Sequence, residues 1–70
     1  MPIKPEKMIH YLLKAGFVEV PKRGGHRKFI HPDGRKTEVP MHGKELRKRT
    51  EQLIIQEAQL KFDRRGKLIL

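Results

Sequence analysis

Apolar positions along this chain recur first at helical spacing, then in short β-branched runs, then at helical spacing again. Met8, Ile9, Leu12, Leu13 and Ala15 form the i, i+1, i+4, i+5, i+7 stripe of an amphipathic helix, predicting helix over residues 5–15. Pro5 suits its first turn, where a missing N–H costs nothing, and Gly16 suits the left-handed position past its end. Phe17-Val18-Glu19-Val20 reads as a strand closed by Pro21, and His26 to Ile30 as a second strand. His31-Pro32-Asp33-Gly34-Arg35 is a turn, because Pro presets φ, Asp bonds its own backbone and Gly takes positive φ. Lys36-Thr37-Glu38-Val39 is a short third strand stopped by Pro40. Two short connections in series predict an antiparallel meander.

Residues 41–49 are polar and basic and read as a loop. Thr50 is the expected N-cap of a second helix, with Glu51 favoured in its first turn. Leu53, Ile54, Ile55 and Ala58 are its expected buried side, and it should end near Gln59-Leu60. The tail, residues 61–70, is ambiguous. Asp63-Arg64-Arg65-Gly66 has the composition of a turn between two short extended pieces, and Leu68-Ile69-Leu70 needs an apolar home in this chain or another. The reading is therefore an α+β domain of order α-β-β-β-α over residues 1–60, with residues 61–70 as an extension. Its three-stranded antiparallel sheet carries both helices on one face, since each element must bury one side. Side chains alternate along a strand, so Phe29 in the core sends His26, Lys28 and Ile30 to the opposite, open face. Ile30 is a blemish there, at the sheet margin or under a partner.

Charge narrows the class of partner. The 70 residues hold 17 Lys plus Arg against 8 Asp plus Glu, a formal net charge of +9. Residues 1–35 contribute 8 − 3 = +5 and residues 36–70 contribute 9 − 5 = +4, so this is no basic tail on a neutral domain. With no Cys there is no disulfide, thiolate zinc site or thiol nucleophile. No apolar run approaches the roughly 18 residues of a membrane span, and the N-terminus lacks the apolar stretch of a signal peptide. The expectation is a cytoplasmic protein whose partner is a polyanion or an acidic protein.

Chemistry must come from His, Lys, Arg and the few acids. His10 lies beside the apolar stripe, His31 leads a turn and His42 sits in the basic loop. A zinc site from His26, His31 and His42 lacks ligand spacing, so no metal or cofactor is expected. His26 stands out by its company. Gly24-Gly25 before it lets a phosphate or another backbone approach, and Lys22, Arg23, Arg27 and Lys28 flank it. An imidazole is also the side chain best suited to moving protons near neutrality.

These residues resemble a known family. Gly16-Phe17, Lys22-Arg23-Gly24-Gly25-His26-Arg27-Lys28-Phe29, His31-Pro32-Asp33-Gly34-Arg35 and Val39-Pro40-Met41-His42 look like the HicA toxins of bacteria, over residues ~5–60. The resemblance implies a double-stranded-RNA-binding-domain-like fold, agreeing with the element order read independently. It implies a small mRNA interferase encoded with a HicB antitoxin, its catalytic histidine falling on His26. Departures are Gly25 where the family usually has Ser, Arg47-Lys48-Arg49-Thr50 before the second helix, and Glu57-Ala58-Gln59 at its end.

The function so implied is a metal-independent endoribonuclease that cleaves mRNA through the neighbouring 2′-hydroxyl and arrests growth. His26 is the proton-transfer candidate, with His31 and Lys28 considered for a second such role. Lys22, Arg23, Gly24, Gly25, Arg27, Lys28, Lys44, Arg47 and Lys48 are the RNA-binding candidates. Expected partners are mRNA and a HicB-like antitoxin, with a monomeric free toxin and a higher-order complex. The alternative is a non-catalytic double-stranded-RNA-binding module, with the basic segment before the second helix tracking phosphates.

Overall fold

The computed structural model describes residues 3–21, 24–41, 43 and 45–70. The elements run α1 (Pro5–Lys14), β1 (Val18–Val20), β2 (His26–Ile30), β3 (Lys36–Pro40), α2 (Lys48–Ala58), β4 (Lys61–Phe62) and β5 (Leu68–Ile69). The first three strands form one antiparallel sheet in the order β1-β2-β3. This is the expected α-β-β-β-α order of a double-stranded-RNA-binding-like α+β fold, followed by a small hairpin.

Helix α1 ends as its sequence dictates. Gly16 takes φ 99°, its N–H donates to the Leu13 carbonyl (3.1 Å), and the Phe17 N–H donates to the Leu12 carbonyl (3.0 Å). That crossed pair satisfies carbonyls that would otherwise be orphaned. Phe17 drops into the core with Met8, Ile9 and Leu12 of α1, Phe29 and Val39 of the sheet, and Ile54 and Ala58 of α2. Phe29, Met8, Leu12 and Val39 are fully buried. Thr37 lies opposite Phe29 in the ladder and is the one buried polar residue among the described core; its hydroxyl donates to Glu57 (2.9 Å).

Three local expectations are corrected. Strand β3 runs through Pro40 instead of stopping before it. β3 is an edge strand, where a missing N–H is tolerated, and the Met41 N–H continues the ladder onto the Gly25 carbonyl (2.7 Å). Helix α2 begins at Lys48, with Arg47 as an extended N-cap that makes no side-chain capping bond, so Thr50 is helical and not the cap. Its start is set by tertiary contact: buried Leu46 anchors the entry and donates its N–H to the Ile3 carbonyl (3.0 Å), while the Ile3 N–H donates to Glu51 (3.3 Å). Leu53 is 51% exposed, outside the buried side assigned to it. α2 packs along the edge strand through Ile54 and Ala58, one helical turn apart, and Leu53 lies about 100° round the helix from Ile54.

The exit of α2 is a departure the sequence already marked. Gln59 occupies the left-handed region (φ 55°, ψ 40°), the only non-glycine residue with positive φ among those described. Its N–H donates to the Gln56 carbonyl (3.2 Å) and the Leu60 N–H to the Ile55 carbonyl (3.0 Å), the same crossed pair that closes α1.

The tail resolves into the β4–β5 hairpin, with Phe62 opposite Leu68. Asp63 organises its turn by accepting from the Arg65 (2.8 Å) and Lys67 (2.9 Å) N–H groups. Phe62 meets the edge of Tyr11 on α1, ring centroids 5.1 Å apart, and Leu68 packs against the core, while Ile69 and Leu70 stay exposed.

Candidate active site

Register decides which candidates meet. In the β2–β3 ladder His26 faces Pro40, Lys28 faces Glu38, and Ile30 faces Lys36. Directly opposed residues share a face, so all six lie on the open side, away from Phe29. His26 is the first residue of β2 and 45% exposed. Its Nδ1 lies 3.4 Å from Oε1 of Glu38, which is 37% exposed.

These residues form one wall of an open cleft of about 810 Å³ between β3 and α2. Lys28, Lys36 and Arg47 supply cations, and Leu53 and Pro40 supply apolar surface. Leu53 is therefore exposed because it looks into the cleft. Gly24, two residues before His26, has φ 103°, and a Cβ built there meets nothing within 4 Å. The backbone beside His26 thus needs glycine for its conformation and is open to a close approach. Gly25 is spent differently, its carbonyl holding the end of the ladder through Met41.

Some predicted residues do not join this group. Arg27 points to the helix-bearing face, where its guanidinium makes a two-point contact with Glu19. That hydrogen bond holds the Glu19 carboxyl below its ordinary range, and the reciprocal contact raises Arg27. Lys48 is exposed at the start of α2. Lys22, Arg23, His42 and Lys44 lie outside the described residues. His10 is exposed on α1 beside Tyr11.

His31 follows the far end of β2, five residues and about 16 Å along the strand direction from His26. It cannot share a proton-transfer site with His26. Its ring packs edge-on against Phe17, centroids 5.2 Å apart, and Nε2 lies 3.0 Å from where a Gly16 Cβ would stand. Nδ1 lies 3.1 Å from both the Asp33 N–H and the Asp33 carboxylate. Asp33 accepts from the Arg35 N–H (3.0 Å) and the Arg35 Nε (2.7 Å). Those bonds, the backbone one first, hold its carboxyl below the ordinary range. Arg35 reaches on to donate to the Ala58 carbonyl at the end of α2 (2.5 Å) and lies over the Phe17 ring (5.2 Å). The His-Pro-Asp-Gly-Arg segment is thus a clamp joining the hairpin, α1's exit and α2's exit.

Among the charged cleft residues, Lys36 and Glu38 of β3 and Glu57 of α2 are absent from the sequence reading of the site. For the two on β3 a signal was present: a hairpin turning about Asp33 pairs positions whose numbers sum to 66, placing Glu38 opposite Lys28 and Lys36 opposite Ile30.

The fold and cleft define a small basic α+β domain, like a double-stranded-RNA-binding domain in its fold, that presents a histidine on its open sheet face. The chain belongs to the HicA family: residues 5–60 match the family described as HicA toxin of bacterial toxin–antitoxin systems. It is a toxin of that class. The match stops at Leu60, so the β4–β5 hairpin lies beyond it. No match is found among curated proteins. Among the described residues, no helix is long and apolar enough to cross a membrane.

Proposed function

We propose that this toxin is a metal-independent endoribonuclease that cuts mRNA, with His26 as the proton-transfer group. The observation that carries the reading is His26 itself, held exposed at the mouth of a cation-lined cleft in a HicA-family chain. A 2′-hydroxyl gives up its proton to the imidazole as its oxygen bonds to phosphorus; the phosphorus–5′-oxygen bond breaks, leaving a 2′,3′-cyclic phosphate, and the departing 5′-oxygen takes a proton from water. Lys28, Lys36 and Arg47 stand where cations offset the charge gathering on the phosphorane oxygens and hold the backbone of the strand. The proposed steps use the imidazole and the cationic side chains and call on no metal ion.

The natural partner is a HicB-like antitoxin that covers this face. Exposed Val18 opposite half-buried Ile30, beside Lys28 and Lys36, offers it apolar contact within a basic surface. Ile30 fits that interface better than a solvent-facing role.

His26→Ala is the test. An exposed strand-end side chain carries little of the core, so stability should move by no more than about 0.5 kcal/mol. RNA cleavage should fall by about 10²–10⁴ while RNA binding persists. A variant that cleaves RNA at the wild-type rate would overturn the proposal and put the RNA-binding module in its place.

A further inference from the structure

Glu38 has no role in the proposal above, yet it is the carboxylate the fold delivers to His26. The ladder makes it the diagonal neighbour of His26, since Lys28 stands opposite Glu38 and Pro40 opposite His26. Such diagonal positions are about 7–8 Å apart at the backbone, within reach of a long side chain. Pro40 presents no polar group of its own. Glu57, the other carboxylate of the cleft, accepts from Thr37 (2.9 Å). The separation of Glu38 Oε1 from His26 Nδ1, 3.4 Å, is just beyond a settled hydrogen bond. Catalytic hydrogen bonds are often this long without substrate and tighten when it binds.

We propose that Glu38 is a positioning residue for His26. Its carboxylate accepts the Nδ1–H, fixing the tautomer that leaves the Nε2 lone pair turned toward the RNA. The inference rests on the reading of His26 as the proton-transfer group. Which ring nitrogen carries the proton is set by the hydrogen bond the other atom makes. Loss of this acceptor favours the tautomer with the proton on Nε2, where the ring can no longer take one from a 2′-hydroxyl. Lys28 stands directly opposite Glu38 in the ladder, so a cationic side chain shares the carboxylate's face of the strand pair.

The test compares Glu38→Ala with Glu38→Gln in the full chain. Glu38→Ala should lower kcat for RNA cleavage by about 10–100-fold, the scale at which outer partners of functional histidines act, with KM little changed. Glu38→Gln keeps an acceptor for Nδ1–H and should recover much of that loss. A role limited to folding or to pairing with Lys28 would not give this split. Ring-nitrogen chemical shifts of His26 supply a second measurement, independent of activity. The wild-type neutral ring should carry its proton on Nδ1, and Glu38→Ala should shift it toward Nε2. The wild-type spectrum decides the matter even if Glu38→Ala fails to fold. An inactive His26→Ala beside a Glu38→Ala with wild-type kcat, or a wild-type ring protonated on Nε2, would overturn the positioning role alone. An active His26→Ala would instead overturn the nuclease reading on which it rests.

Discussion

Replacing Arg35 by Met should unfold this domain more readily than replacing any of the cleft cations. The side chain is 23% exposed, and it donates to the last carbonyl region of α2 while lying over Phe17. A hydrogen bond from a charged donor contributes about 1.5–3 kcal/mol net, and losing it leaves the Ala58 carbonyl short of a partner in a part-buried site. The contact with the Phe17 face adds about 0.5–1 kcal/mol. The arm to exposed Asp33 adds little, because solvent screens it. These contributions overlap, and Met keeps the apolar stem, so the expected loss is about 2–3 kcal/mol. At roughly 0.05–0.15 kcal/mol per residue, a chain of this length has only about 4–10 kcal/mol in total. The corresponding fall in Tm is about 10–20 °C for a domain of this size. Urea unfolding followed by circular dichroism measures it, with the slope unchanged if only stability moves. Arg35→Lys should recover only part, since an ammonium has no planar fork to lie on the ring and reach the carbonyl together. Because the clamp is at the far end of β2 from His26, the folded variant should still cleave RNA. A midpoint for Arg35→Met within about 0.5 kcal/mol of wild type would refute the clamp, that being the range of an ordinary surface change.

Gln59→Gly should stabilise the protein: it relieves a left-handed residue costing about 1–2 kcal/mol and gives back about 0.5–1 in unfolded-chain entropy. The urea midpoint should therefore rise by the equivalent of about 0.5–1 kcal/mol, and a fall would show that the Gln59 side chain matters more than its backbone. Acid should weaken the fold through Glu19 and Asp33, both held below the ordinary carboxylate range. A depressed folded pKa means that the stabilisation is present above the unfolded value, about 4, and is lost as pH falls through the folded value. Urea midpoints against pH should decline below about pH 4, and the double variant Glu19→Gln, Asp33→Asn should flatten that decline; an unchanged acid limb would assign it to other carboxylates.

Much of this protein was legible in its sequence, for physical reasons that act over a few residues. The helical stripe from Met8 to Ala15, the Gly16 exit and the Pro-Asp-Gly turn are local choices of backbone conformation, and each element stands where they put it. Strand alternation anchored on Phe29 was enough to send His26 and Lys28 to the open face. Contacts between distant segments were not legible in this way. The start of α2 depends on Ile3, more than forty residues away, so a local capping rule misplaced it at Thr50. Its neighbours in sequence point Leu53 to the core, and only the packing of α2 along an edge strand shows which third of the helix is covered. The same long-range placement carries Arg35 to the Ala58 carbonyl and seats the His31 ring against Phe17. Local sequence specified the conformations and the histidine's face; which side chains meet across that face was decided by strand register and by where α2 docks.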